Sequence, residues 1–513
     1  MSTRKPTEED ILRPIERTTP WWFAFALAAS IALGIFLILW AYQLWEGLVV
    51  TGLSDWGTGG GVTWGLYIGA FIWWVGIAHG GIILSAAVRL LGMKRYMPVA
   101  RLAELLTIGG LSAAGFYILI HMGRPDRMVT SVIGHYHITV HNSPLVWDVT
   151  VITAYFVLTA TYLGLTLRYD ISQMRDSLPT HAAVVPESPL TSLRRGSAQV
   201  TAPVRRYSPV NLTGFLMGPV SAIGRPFTPV RKWSGRYLPV MFPLYIIYDL
   251  MTLGYTKEED EVIERMVWWV AAAIIIMAPL LLHGGVIPWL FALLPTYPGW
   301  FGAVQGPQFL TIALTSAISG VIIISYAFRR SYDWYHIIGD DVFRGLLLWL
   351  GFFSLLFLWL QLQQVVSGVF SPPIDQAAAT DAKVSHPIYV GSLAMVAATL
   401  IYIFAQAVRP ELFSINAALT AAVAVLTATL LEKIFFVVEG LMYPTFSIYE
   451  ATPGTYWPSL VEMSSVLGTI GLVTMMFLVV AKVFPVVELH AVEYQRGDHG
   501  HGHGEDEQEE VHA

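Results

Sequence analysis

Apolar residues come in long runs along this chain, with short polar breaks between them. Each run is about the 20 residues that an α-helix needs to cross a bilayer core. Ten can be placed: 21–50, 64–91, 101–121, 144–168, 267–294, 307–328, 344–370, 387–408, 414–443 and 459–484. Several are longer than a slab of roughly 30 Å requires, which predicts tilt. No stretch alternates with the period of two that a lipid-facing barrel strand shows. The pattern therefore predicts an all-α integral membrane protein of about ten transmembrane helices, because only such helices or closed barrels satisfy their backbone in lipid.

The breaks carry as much information as the runs. Segment 1–20 is polar with no apolar core, so it does not read as a signal peptide. The long break at 169–265 is rich in Pro, Ser, Thr and Arg and splits four runs from six, which reads as a loosely ordered loop. Its end, 237–253, is apolar but interrupted by Pro239 and Pro243, and reads as interfacial or re-entrant. Segment 485–513 reads as a disordered tail in which His499, His501 and His503 alternate with glycine among acidic residues.

Composition fits this picture: 55% of residues are hydrophobic and 13% charged, and 18 tryptophans and 23 tyrosines supply interfacial belts. Cysteine is absent, which excludes disulfides, Cys-ligated iron–sulfur clusters and thioether-linked haem within this chain. The net charge of −6 owes much to the tail, and no basic surface of the kind that binds nucleic acid stands out. Lys and Arg orient the chain. With both termini in the cytoplasm, every one of the 30 falls on the inner side except Arg124, Arg127 and Lys383 in outer loops and Lys433 within a run.

Against this apolar background the ionisable residues are conspicuous. His121 closes the third run and Asp148 opens the fourth, both at the outer face. An Asp at the centre of a membrane helix costs about 2.5–3.5 kcal/mol, less near the surface. Two such groups converging on one face predict a proton-handling pocket; simple snorkelling into headgroups is the bland reading. His79 sits midway along a glycine-rich run and must face protein, either as a helix–helix hydrogen bond or as a relay or ligand contact. Glu104 lies near the opposite face from His121, with Arg101 three residues before it as a ready ion-pair partner. Arg124 opposes the charge rule, so a role beyond topology, fixing Asp148 or an outside partner, is expected of it. His135, His137 and His141 share its loop without the acids or helical spacing of a metal site. His283, Glu432, Lys433 and Glu439 in later runs offer a second hydrated path for protons, or plain helix–helix hydrogen bonds.

The order of motifs resembles a known family. WGLYIGAF…GIAHGG, AELLT…IHMGRP and SPLVWDV in the first half are similar to the NrfD-like membrane subunits of polysulfide reductases, and most of all to the quinol-oxidising NrfD-like subunit of bacterial alternative complex III. PTYPGWF…GPQF, LEKIFFVVEGL and YWPSLVEMSSVLGTIG…KVFP in the second half resemble the same family. The resemblance implies two four-helix bundles, within 64–294 and 307–443, with extra flanking helices at 21–50 and 459–484. It implies a quinol pocket near the outer face of the first bundle in the bacterial inner membrane. Its catalytic His and Asp correspond to His121 and Asp148, and His79 and Arg124 match positions of the family's IAH and GRP motifs. Trp147 and Phe116 are apolar candidates for the walls of a ring-shaped slot. Menaquinol or another quinol would be the substrate, with no haem or iron–sulfur cluster in this chain. Electrons would pass to a periplasmic iron–sulfur protein, in a complex holding a second NrfD-like protein, a multihaem cytochrome c and lipid. The resemblance equally admits the membrane anchor of a molybdopterin reductase. Outside the family, a secondary transporter needs matched broken helices that the first half lacks, and a bis-His cytochrome would use His79 and His283.

Overall fold

In the computed structural model the described residues are 7–52, 64–136, 138, 144–176, 251–252, 260–283, 291, 297–300, 302, 304–370, 374–442, 456–489 and 491. They form α1 (Glu8–Glu16), α2 (Pro20–Glu46), α3 (Leu66–Leu90), α4 (Met97–His121), α5 (Pro144–Asp176) and α6 (Asp260–His283). After these come α7 (Gln305–Tyr332), α8 (Asp340–Val369), α9 (Ile374–Ser385), α10 (Pro387–Val408), α11 (Ile415–Met442) and α12 (Leu460–Val483). No strand occurs among the described residues, and nine helices there are long and apolar enough to cross a membrane. The protein is an all-α integral membrane protein.

Helix α3 packs on α4, α4 on α5, α5 on α6 and α6 back on α3, closing one four-helix ring. Helices α7, α8, α10 and α11 close a second ring in the same way. The two rings meet where α3 lies against α7 and α11. Close approach there depends on Gly80, whose added Cβ would lie 2.6 Å from the carbonyl carbon of Ala313 and 2.7 Å from the Cβ of Ala317. Small residues give membrane helices this packing in place of a hydrophobic driving force. The outer helices α2 and α12 pair with each other and with the first ring, through α4.

Helix ends follow from local chemistry. Thr19 accepts from Trp22 N–H at 3.2 Å before Pro20, which starts α2 with its missing N–H where none is needed. Ser459 and Glu462 form a capping box at the start of α12, with Glu462 accepting from Ser459 N–H at 2.8 Å.

The structure departs from the sequence reading in three places. Helix α5 runs on to Asp176, past the expected end at 168, because Arg168 and Asp170 are buried in protein and not left at a headgroup surface. Segment 485–489, expected to begin the tail, is packed: Val486 and Val487 are fully buried and Glu488 supplies a carboxylate to Arg89. Polar segment 1–20 contains α1, whose Ile11 and Ile15 are buried. Most of 169–265, nearly all of the 237–253 segment and the tail beyond 491 lie outside the described residues.

Candidate functional site

Helices α4 and α5 are antiparallel neighbours, and their register is fixed at one end by charge. Arg101 of α4 pairs with Asp170 of α5, and its Nη2 donates to the Thr166 carbonyl at 3.0 Å. Glu104 accepts from Thr166 Oγ1 at 3.3 Å. An antiparallel pair keeps its register, so one rise per residue along each helix brings His121 level with the second turn of α5, where Asp148 stands.

Both groups are withdrawn from solvent without being satisfied. His121 Nδ1 is buried and has no hydrogen-bond partner among the described residues. Asp148 is 7% exposed and has no hydrogen bond or ion pair among them. No direct hydrogen bond joins the two, so a bound group or water has to bridge any proton traffic between them.

Below Asp148 the inward face of α5 continues as a file of polar side chains, Tyr155, Thr159, Tyr162, Thr166 and Asp170, at the three- and four-residue spacing of one helix face. The Tyr155 hydroxyl and Thr159 Oγ1 are buried without partners among the described residues. The His79 ring of α3 stacks on Tyr155, with centroids 4.2 Å apart and planes 20° apart. His79 Nδ1 donates to the Val75 carbonyl at 2.8 Å, leaving Nε2 buried and unpartnered. His79 thus bonds one turn back within its own helix, not across to a neighbouring helix as the bland reading expects, and keeps a second nitrogen available for a ligand or a proton.

At the other end of the file the charges are paired. Glu104, fully buried, accepts from Ser85 at 2.7 Å and Arg89 at 2.9 Å. Arg89 also pairs with Glu488, whose carboxylate lies 3.9 Å from Arg101. The local Arg101–Glu104 pair expected from spacing is replaced by pairs across helices, because burial in the bundle brings Asp170 and Glu488 to these cations.

Other expected residues are placed differently. Arg124 is exposed and forms a bidentate pair with Asp126 at 2.9 and 2.7 Å, and does not reach Asp148. Phe116 turns to α2, edge-on to Phe36 at 5.8 Å and Trp40 at 5.2 Å. The side chains of Trp147 and His283 lie outside the described residues. His135 is exposed, while His137 and His141 also lie outside the described residues.

In the second bundle, Glu432 accepts from Gln361 at 3.0 Å and lies 3.2 Å from Lys433, whose Nζ sits 3.6 Å from the centroid of the Phe309 ring. Glu439 lines a small cavity of about 30 Å³ with Lys383 and Gln364, room for about one water. Lys383 is buried and donates to Gln364 at 3.0 Å. Its position against the charge rule is the one sequence signal that marks it. Sequence reasoning also misses Gln43, which accepts a hydrogen bond from the Tyr67 hydroxyl at 2.5 Å and donates to the Ile120 carbonyl at 3.1 Å, one residue from His121.

The profile of the family described as "Polysulphide reductase, NrfD" matches residues 56–445, which cover both bundles. The chain belongs to the NrfD polysulphide reductase family. Two curated relatives are similar over shorter stretches. One, provisionally named as a membrane subunit of a dimethyl sulfoxide reductase of Halobacterium salinarum, is 38% identical over 152 residues, 30% of this chain and 32% of the relative. The other, a subunit of the selenate reductase of Mesobacillus selenatarsenatis, is 25% identical over 138 residues, 26% of this chain and 30% of the relative. The matched stretch spans about a third of either relative's length. As an NrfD-like protein, this chain is a multi-pass membrane protein.

Proposed function

We propose that this chain binds a quinol at the level of His121 and Asp148 and oxidises it on behalf of partner subunits. The observation that carries the reading is the buried imidazole nitrogen of His121, without a partner, level with the unpaired carboxyl of Asp148 on the adjacent helix. A quinol brings two hydroxyl groups, and each must lose a proton as the ring loses two electrons. His121 Nδ1 accepts a hydrogen bond from one hydroxyl and is placed to take its proton as the ring is oxidised. Asp148, unpaired by any cation, takes up and releases the other. The electrons leave to a periplasmic iron–sulfur protein, the acceptor that the family resemblance implies. His79, stacked on Tyr155, stands at the head of the polar file that leads to Glu104, and gives protons a route through the first bundle. The second path, through Glu432, Lys433, Glu439 and Lys383, belongs to the same reading. Menaquinol as substrate, an inner-membrane location with cytoplasmic termini and release of protons outward complete it.

The names of the two relatives support a reductase as the host complex, with this chain as the quinone-reactive anchor of iron–sulfur and molybdopterin subunits. The motifs of the second half, PTYPGWF at 295–301 among them, favour alternative complex III as the second reading, with a second NrfD-like protein and a multihaem cytochrome as partners. The subunits that co-purify with the tagged chain separate the two. The site itself is tested by Asp148→Asn and His121→Gln in the assembled complex. Quinol oxidation should fall by about a hundredfold or more while the subunits still co-purify. Near wild-type turnover in Asp148→Asn would reject the site.

A further inference from the structure

The end of the molecule opposite His121 carries an apolar groove of about 180 Å³ between α2, α7 and α12. Trp22 and Phe25 of α2, Phe328 and Tyr332 of α7, and Phe477 of α12 form its walls. From Ile323 to Tyr332 it follows α7 for roughly 13 Å. Phe25 is 38% exposed, so the groove opens sideways, toward the membrane.

Its mouth is basic in a particular way. Arg13, Arg89, Arg95, Arg101 and Arg329, at the same end of the molecule, each have a carboxylate partner. Of the cations around the groove, Arg13 donates to the Tyr332 carbonyl at 3.1 Å and pairs with Asp10, while the other three have no ion pair among the described residues. Arg17 is exposed with no ion pair there, and its carbonyl accepts from Lys482 Nζ at 2.7 Å. Lys482 also donates to the Pro14 carbonyl at 2.7 Å and lies 5.9 Å from the Trp22 ring, which leaves its third N–H unused. Arg330 is exposed, next to the groove residue Ser331, and donates to the Tyr335 hydroxyl at 3.2 Å.

We propose that this groove is a binding site for an anionic phospholipid, with an acyl chain along α7 and the phosphate held by Arg17, Arg330 and Lys482. An apolar trough alone accepts any chain. Three cations without carboxylates at its mouth select for a negative headgroup. A partner's helix or an isoprenoid tail would fill the trough and leave those charges unanswered.

The test uses the full chain in the complex with which it purifies. The complex is stripped of loose lipid in mild detergent and exchanged against vesicles of equal phosphatidylglycerol and phosphatidylcholine. Mass spectrometry then reads the lipid it retains. Phosphatidylglycerol should be retained over phosphatidylcholine. Arg17→Gln and Arg330→Gln should each lower its retention about fivefold, the equivalent of roughly 1 kcal/mol per cation near the surface, and leave phosphatidylcholine unchanged. Ala327→Trp, which fills the groove, should abolish the preference. Equal retention of the two lipids by the wild-type complex overturns the proposal, and that result does not depend on any variant folding. A drop of the same size in Arg409→Gln, an exposed cation away from the groove, also overturns it, because it would mean that charge acts without a site.

Discussion

Replacing Arg101 by Met tests whether the ionic end of the first bundle sets the register of the proposed quinol site at the other end. The Arg101 side chain is 1% exposed; it pairs with Asp170, donates to the carbonyls of Thr166 at 3.0 Å and Pro485 at 3.3 Å, and lies 3.9 Å from Glu488. Removing one member of a buried pair typically costs about 3–5 kcal/mol, mostly from the charge left behind. Glu488 keeps Arg89, and Asp170 keeps the Leu489 N–H at 3.3 Å, so the loss should sit near the lower end, about 3 kcal/mol. Arg101→Met with Asp170→Leu removes both charges and should return to within about 1 kcal/mol of wild type, since well-packed apolar pairs replace buried ion pairs at little cost. The assay is denaturant unfolding of the purified chain in micelles, with quinol turnover of the assembled complex measured beside it. Arg101→Met should lose both stability and turnover, although it lies at the far end of α4 from His121. The reasoning fails if Arg101→Met is within about 0.5 kcal/mol of wild type, or if the double variant shows the plain sum of its singles, which would mean the two residues are not coupled.

Tyr155→Phe removes a hydroxyl that has no hydrogen-bond partner among the described residues, so stability should hold or rise slightly, and a fall in turnover would then report proton transfer and not packing; unchanged turnover removes Tyr155 from the route. Gly80→Val drives a side chain into the backbone of Ala313 and should destabilise by about 1–3 kcal/mol in thermal unfolding, whereas Gly76→Ala, with neighbours at 3.6 and 3.7 Å, should be near neutral. Asp10 anchors α1: burial pushes its carboxyl up, but Thr7, His336 and Arg13 together outweigh this and hold it below its ordinary 3.8. Its contribution is therefore complete above that value and lost as pH falls through the lower folded one, so pepsin should cut α1 increasingly as pH drops below about 4. Equal cleavage of wild type and Asp10→Ala at every pH would refute this.

The membrane helices are legible in the sequence because a bilayer demands long apolar runs, and their order along the chain places α3 to α6 and α7 to α11 as consecutive groups. His121 and Asp148 are legible for the same reason, since a charge at the edge of such a run has few bland explanations. The file along α5 is not. Tyr155, Thr159 and Tyr162 are ordinary in a membrane helix, and their common face shows only once α5 is packed between α4 and α6. Glu488 is hidden by position, because it follows the last run in a stretch that reads as tail. Phe116 misleads because a single helix does not reveal which neighbour its flank meets; α2 and α12 pair beside α4 and claim it.

Satisfaction of hydrogen bonds separates the structural polar groups from the functional candidates. Glu462 accepts from Gly52 N–H at 2.7 Å, the Tyr456 hydroxyl at 2.6 Å and Ser459 N–H at 2.8 Å, so it ties the ends of α2, α3 and α12 together and is fully used. Glu104 is likewise saturated by Ser85, Arg89 and Thr166. His121 Nδ1, His79 Nε2 and the Tyr155 hydroxyl are buried and unused among the described residues, and an unmade bond at such a group typically costs about 1–3 kcal/mol. Helices α3, α4 and α5 each contribute one of them, and Asp148 adds a carboxyl without an ion pair among the described residues, level with His121 and about 10 Å along α5 from Tyr155. Packing gains nothing from leaving these groups open. A quinol that donates to His121 and Asp148 gains what the free protein forgoes, and that difference favours the ligand over lipid tails entering the same end of the bundle.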